Sequence, residues 1–319
     1  MSAGHAMHHL PRVTALGGGH GLSASLTALR RLTDELTAVV TVADDGGSSG
    51  RLRAEFGGLP PGDLRMALAA LCGDDHHGRT WADILQTRFP GDGPLGGHAI
   101  GNLLITGAWQ KLGSPVQGLD LVGDLLHSRG RVLPMSTTPL GIEAEVLGLD
   151  PVSPDEPCTL AGQATIAKTR GQVQSVRLVP SDAPACPEAV RAIEESDFVV
   201  LGPGSWFTSV MPHLLVPGLN RAITGSAATR VLTLNIRPAD ETAGYNASRH
   251  LELLAEHAPN LQLDYVIADR SSAAADRHLP AFTASLGAEL VVADVAMRDG
   301  SPRHDPLRLA SAYQEIMGL

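Results

Sequence analysis

Apolar residues along this chain fall into short unbroken runs, each followed by a glycine-rich polar stretch and then by helical spacing. Arg12–Leu16 reads as a strand, Gly17–Gly21 as its loop, and Leu22–Leu32 as a helix with Leu22, Leu26 and Leu29 on one face. Ala38–Ala43 (AVVTVA) is apolar almost throughout, as expected of a strand covered on both sides. Strand, helix and parallel strand make a βαβ unit, normally right-handed.

Helical patterns then dominate. Asp63 is placed to cap a helix through Leu64, Leu68 and Leu71, and Trp81–Arg88, Ile100–Lys111 and Pro115–His127 read as three more. From Val132 to about Pro180, proline, glycine and short alternating stretches (Ile142–Leu147, Ala164–Ala167, Val173–Leu178) predict a β-rich insertion. The α/β alternation then resumes. Strands are expected at Phe198–Leu201, Val231–Asn235, Leu263–Ala268 and Leu290–Val295, with helices at Pro187–Glu195, Thr208–Leu215, Ser248–Ala258 and His304–Met317. The natural solution is one α/β domain over 12–319: a doubly wound, mostly parallel sheet with helical cover and a β-rich insertion at about 132–180, after a flexible tail over 1–11.

Composition narrows the function. The 319 residues are 43% hydrophobic and 18% charged, ordinary for a folded globular chain. A formal net charge of −10 opposes broad attraction to a nucleic-acid backbone, and 3% aromatics leave few platforms for stacking bases, so no nucleic-acid partner is expected. No apolar run approaches the roughly 18–20 residues that span a bilayer, and Met1–Pro11 lacks the apolar core of a signal peptide. Cys72, Cys158 and Cys186 are odd in number and lack CxxC spacing, which suits reduced thiols in the cytoplasm. His5, His8 and His9 read as part of the tail, and no metal site is assigned.

Three strand ends carry the candidate chemistry. Gly17-Gly18-Gly19-His20-Gly21 precedes a helix, where free N–H groups and the helix dipole favour an anion. Its spacing is neither GxGxxG nor a P-loop, and a tight structural turn is the alternative. The second stretch is Asp44-Asp45-Gly46-Gly47-Ser48-Ser49-Gly50-Arg51, with Arg53 following. Its carboxylates suit sugar hydroxyls or a divalent cation such as magnesium, and its arginines suit phosphate; a solvated polar turn is the alternative. The third is Gly202-Pro203-Gly204-Ser205 with Thr208 and Ser209, an anion site or a turn with an N-cap. Smaller elements are Asp63 and Arg65, His98 and Asn102, and Asn235 with Glu241 and Thr242. His98 is either a phosphate donor and general acid–base or a structural histidine. Asp44, Asp45 and His98 are the candidates for any catalysis.

At these residues the chain resembles the bacterial gluconeogenesis factors, the YvcK-type proteins. The resemblance is carried by VTVADDGGSSGRLR at 40–53, GGGHGLS at 17–23, LPPGDLR at 59–65, GHAIGNLL at 97–104 and LGPGSWFTSVMPHLLV at 201–216. A weaker block runs over Glu241–Ser248 with His250, and Arg303-His304-Asp305 also matches. Two segments differ from the pattern: Ala239-Asp240 stands where Pro-Gly is usual, and Ala161-Gly162-Gln163 where Gly-Glu-Ser is usual. The resemblance places the chain in a superfamily with 2-phospho-L-lactate transferase of coenzyme F420 assembly. It implies a Rossmann-like core, a cytoplasmic location, UDP-sugar ligands such as UDP-N-acetylglucosamine, and a role in cell shape and wall synthesis on gluconeogenic carbon sources. It carries the ligand site onto the motif residues, Leu22 and Arg303 among them, and leaves a homodimer open.

A regulatory binding protein is therefore the leading expectation, with a UDP-sugar or dinucleotide as ligand and no certain cofactor. Phosphoester transfer is the alternative, with Asp44 or Asp45 positioning magnesium and Arg51 steadying the phosphate. A nicotinamide oxidoreductase ranks third, because the dinucleotide spacing is missing.

Overall fold

The structure, a computed structural model, describes residues 10–319. His5, His8 and His9 of the expected tail lie outside the described residues. The chain opens with β1 (Val13–Gly17), α1 (Gly19–Leu29) and β2 (Leu36–Val40). All five β1 residues are buried, which accounts for their unbroken apolar run. Five helices follow before the sheet gains another strand: α2 (Gly47–Phe56), α3 (Gly62–Leu71), α4 (His76–Gln86), α5 (Ile100–Leu112) and α6 (Pro115–Leu126). The next strand, β3 (Arg131–Pro134), pairs in parallel with β2.

The β-rich excursion forms a separate antiparallel sheet of β4 (Gly141–Leu147), β5 (Cys158–Ala161) and β6 (Gln172–Val179), with β4 in the centre. A short helix, α7 (Gln163–Ile166), bridges β5 and β6. The chain then returns through α8 (Pro187–Glu194), β7 (Phe198–Leu201), a π-helical turn at Trp206–Val210, α9 (Met211–Leu215) and α10 (Pro217–Gly225). It continues with β8 (Thr229–Thr233), a 3₁₀ turn at Asp240–Thr242, α11 (Ala247–His257) and β9 (Tyr265–Asp269). It closes with α12 (Arg270–Ala275), α13 (Leu279–Ser285), β10 (Glu289–Ala293) and α14 (Pro306–Met317).

The main sheet has the order β10-β9-β8-β7-β1-β2-β3, and every pairing is parallel. From β1 the chain winds outward through β2 and β3; from β7 it winds the other way to β10. The reversal falls between β1 and β7, where Leu16 lies beside Leu201. In a doubly wound sheet the strand ends at that reversal open into a crevice. Helices cover both faces, α1 packing with α3 and α14, and α10 with α8 and α9.

Behind the crevice, Tyr313 of α14 is fully buried and its hydroxyl meets Ser25 of α1 at 2.9 Å and Thr233 of β8 at 2.8 Å. Ser25 also donates to the Gly202 carbonyl at 3.2 Å. A buried hydroxyl left unpaired costs about 1–3 kcal/mol, so this network ties both halves of the sheet to the loop after β7.

Several elements differ from the pattern-based expectation. Arg131–Pro134 belongs to the main sheet, so the second sheet starts at Gly141 rather than near Val132. Ala164–Ala167 is not a strand: Gly162 takes φ +95° and starts the helical turn α7. The polar run after β2 is largely helical, with α2 beginning at Gly47. Thr208–Leu215 is a π-helical turn passing into α9. Asp63 does not cap α3; Pro61 holds the cap position and Asp63 lies in the first turn.

Candidate functional site

The loop after β1 and the loop after β7 face each other across the reversal point and line one cleft of about 570 Å³. Their approach is set by glycine. A Cβ on Gly21 would collide with the Pro203 carbonyl, and one on Gly18 would collide with Thr41 and stand 2.6 Å from Asp63 Oδ2. Gly19, at φ +58°, begins α1. The first N–H groups of this helix have no intrahelical acceptor; Gly19 gives its N–H to Asp63, and Gly18 to Gly21 line the cleft.

The β7 loop is held from two sides. Asn235, just beyond β8, accepts from the Gly204 N–H at 2.9 Å and donates to the Gly204 carbonyl at 2.7 Å. Glu241 accepts from Ser205 Oγ at 2.7 Å and from the Phe207 N–H at 3.0 Å, and Thr208 Oγ1 donates to Ser205 Oγ at 2.7 Å. Glu241 is only 1% exposed, its Oε2 has no partner, and burial raises its pKa. Gly204, Ser205, Thr208 and Ser209 all line the cleft.

Asp63 is the cleft's acidic residue. Burial, and then the charge of Asp44, push its carboxyl up to about 7, against the pull of the Gly19 N–H and Arg65. Its Oδ2 is enclosed without a hydrogen-bond partner, as is Thr41 Oγ1. On the rim, Arg303 donates to Asp299 at 3.0 Å and to Ser301 at 3.1 Å, while Arg237 makes no hydrogen bond or ion pair among the described residues.

The profile of the family described as 2-phospho-L-lactate transferase CofD matches residues 13–301. This chain belongs to the CofD family. A protein of Mycobacterium tuberculosis (strain H37Rv) named as a gluconeogenesis factor is 54% identical over 308 residues, covering 95% of this chain and 90% of that protein. The gluconeogenesis factor of Listeria monocytogenes is 34% identical, covering 96% of both. A crystal structure of a UPF0052 family member from Bacillus halodurans superposes with a TM-score of 0.83 at 32% identity, over 95% of this chain and 98% of that one.

Beside this CofD-family cleft, the run after β2 does not form one loop, and its side chains turn to different partners. Asp44 accepts from the Gly46 N–H at 2.9 Å, and its Oδ2 lies 2.9 Å from where a Gly62 Cβ would stand, near Ser49 Oγ. Asp45 points elsewhere and accepts from the Ala164 N–H at 3.0 Å, pinning α7 of the insertion. A Cβ on Gly162 would collide with that carboxylate.

Ser48 Oγ lies 2.9 Å from His98 Nδ1 and accepts from Asn102 Nδ2 at 3.0 Å, and Arg65 donates to Asn102 Oδ1 at 2.9 Å and to Gln86. Ser48, His98, Asn102 and Arg65 are all buried, so they form a closed network beside the cleft. His98, expected as a phosphate donor or acid–base group, has Nδ1 committed to Ser48; burial and then Arg51's charge lower its pKa. Arg51 donates to the Gly96 carbonyl at 2.8 Å, and Gly50 places its N–H on Gly46 at 2.9 Å, closing α2's first turn.

Other expected ligand residues are bonded or packed within the fold. Leu22 is 1% exposed in the core and its N–H goes to the Gly18 carbonyl at 3.3 Å. Gly17 ends β1, and Gly202 sends its N–H to Leu16 at 3.1 Å. Thr242 bonds the backbone of Ala239 and closes the 3₁₀ turn.

Thr41, Gln163, Ala167 and Arg237 are not among the site residues expected from the sequence. Arg237 follows a strand end that was already suspected, so the strand-end rule extends to it. Gln163 and Ala167 reach the cleft from the insertion, and no local spacing signals that.

Proposed function

We propose that this chain binds a nucleoside-diphosphate ligand, a UDP-sugar such as UDP-N-acetylglucosamine first among them, in the crevice between β1 and β7. Occupancy of that crevice then serves a regulatory role in the cytoplasm, linked to gluconeogenic growth, cell shape and wall synthesis. The observation that carries the reading is the convergence on one cleft of the α1 N-terminus, the β7 loop and the rim cations Arg237 and Arg303. Helix N–H groups supply donors to phosphate, and the arginines supply charge. Calorimetric titration with UDP-N-acetylglucosamine, UDP-glucose and NAD tests it. Saturable binding of a UDP-sugar is expected; no heat with any of the three at millimolar concentration overturns it.

A second reading, phosphoester transfer, is favoured by one observation. Asp63 lines the cleft with an enclosed, unpartnered Oδ2, the charge of Asp44 reaches it, and the Thr41 hydroxyl behind Gly18 is also unpartnered; among the described residues no group of three or more His, Cys, Asp or Glu is placed to hold a metal. Two carboxylates completed by water and substrate phosphate fit magnesium, which when bound would neutralise charge on a transferring phosphoryl group. Asp44 and Asp63 would hold the ion, while the α1 N-terminus at His20 and Gly21 would orient the phosphate. Incubation with an activated phospholactate donor and a deazaflavin acceptor tests this reading. Absence of product beside an active control removes it.

A further inference from the structure

A second cavity, of about 340 Å³, adjoins the cleft across Asn235, Arg237 and Pro238. Its walls are the segment after β8, the start of α11 and the face of α12. Apolar surface comes from Ile236, Pro238, Ala247 and Ala275, with Tyr245 on one side. Most of its buried polar groups are already paired: Asp276 accepts from the Ser248 N–H at 2.7 Å, and Ser272 donates to the Ile236 carbonyl at 2.8 Å.

His250 is the exception. It is 5% exposed, and Nδ1 lies 2.8 Å from the Asn246 carbonyl, so Nδ1 carries the proton. Burial lowers its pKa, which keeps the ring neutral. Nε2 is then a buried acceptor with no partner. The ring is held edge-on by Trp206 at 5.1 Å and Tyr245 at 6.0 Å, so it cannot readily turn to find one. His250 lines this apolar slot, and an unpartnered acceptor at its wall is completed by a flat ligand that brings a donor.

The two sides of the glycine loop differ in what they leave free. On the β2 side, Asp45 is tied to α7, and Ser48, His98, Asn102 and Arg65 are bonded to one another. On the β8 side the cleft runs to Arg237, which has no partner among the described residues and lines both cavities.

Resting on the phosphate-cleft reading above, we infer that the cavity between the β8 end, α11 and α12 is the subsite for the ligand's nucleobase, a planar heterocycle that donates an N–H to His250 Nε2. Arg237 sits over the linking diphosphate. The ligand therefore spans both cavities, with phosphates at α1 and base at α11.

The test is calorimetry on the whole chain with four probes: uridine, guanosine and adenosine diphosphates, and inorganic pyrophosphate. At least one nucleotide is expected to bind the wild type about ten-fold tighter than pyrophosphate, the scale of one buried hydrogen bond with its ring contacts. His250→Phe keeps the ring volume and removes the acceptor. Ala275→Trp, at an exposed position, fills the slot from its mouth without touching the core. Each should lower that nucleotide's affinity about ten-fold toward pyrophosphate's, with pyrophosphate unchanged. Unaltered nucleotide binding in both variants overturns the base subsite while leaving the phosphate cleft standing, and so does equal loss of nucleotide and pyrophosphate. A wild type that binds none of the four overturns the phosphate reading and this inference with it.

Discussion

Replacing Asp63 by asparagine should stabilise the protein at alkaline pH and leave it nearly unchanged at acid pH. The folded state holds this carboxyl at about 7, because burial and then Asp44 disfavour its charge. The pKa is thus raised on folding, so the protonated form stabilises the fold fully below the unfolded value of 3.8, and that stability is lost as pH rises through about 7. Holding a carboxyl at about 7 rather than 3.8 corresponds to about 4 kcal/mol between its two forms. Asp63 borders the cleft and is partly reached by water, so about half of that, ~2 kcal/mol, is the expected penalty at pH 8. For a chain of this length ~2 kcal/mol moves the melting temperature by roughly 4 °C. Calorimetric melts from pH 4 to pH 9, without divalent cations, should show Asp63→Asn gaining on the wild type through the window from about 4 to 7 and holding the gain above it. Parallel pH profiles refute the argument, since they mean the carboxylate is solvated and the inner wall of the cleft is wet. Magnesium supplies the complementary readout. If Asp44 and Asp63 share an ion, the metal should raise the wild-type melting temperature at pH 8 and leave Asp63→Asn unmoved.

Gly21→Ala drives a methyl into the Pro203 carbonyl and should part the two loops, costing about 1–3 kcal/mol in urea melts and abolishing nucleotide heats. Glu241→Ala leaves Ser205 and the Phe207 N–H without their acceptor and should cost about 2–3 kcal/mol, read from the same melts, whereas Glu241→Gln retains an acceptor and should lose less. Asn235→Ala frees both backbone groups of Gly204; nucleotide affinity should fall about ten-fold with less than about 1.5 kcal/mol lost in stability. Asp45→Ala removes a bond at an exposed site, so global stability should change by under about 1 kcal/mol, while amide exchange at Ala164 should accelerate selectively.

The strands were legible because parallel sheets leave a strong trace. β1, β2, β7 and β8 are buried on both faces, so their sequences are apolar without alternation, and the glycines that end β1 and β7 punctuate them. The α2 helix was not legible, since Gly47-Ser48-Ser49-Gly50 has poor helix propensity. Its first turn instead rests on tertiary bonds from Ser48 to His98 and Asn102. The strand β3 was misplaced for a related reason. Its Pro134 and the short turn before β4 look like insertion sequence, and only the pairing with β2 shows that four residues complete the sheet. The cleft's glycines and Asn235 announced themselves by following strands, but Gln163 and Ala167 flank Ala164, which lies 119 residues from Asp45, so the wall they build is a tertiary fact.

Asp44 and Asp45 show where a motif reading must give way to geometry. Side by side in sequence, they suggest one acidic site, yet successive residues on an extended segment point to opposite sides. Asp44 turns toward Gly62 and raises the pKa of Asp63, while Asp45 turns outward to the N–H of Ala164. The acidic pair that matters for charge in the cleft is therefore Asp44 with Asp63, from two different elements. Asp45 instead couples the cleft to the insertion, since α7 carries Gln163 and is fastened by that carboxylate. The same division explains why Gly62 opens α3. A side chain there would stand between Asp44 and Ser49 and push α3, with Asp63 on it, away from the glycine loop. The run after β2 thus serves the cleft through what it positions: Asp63 on one side and the insertion wall on the other.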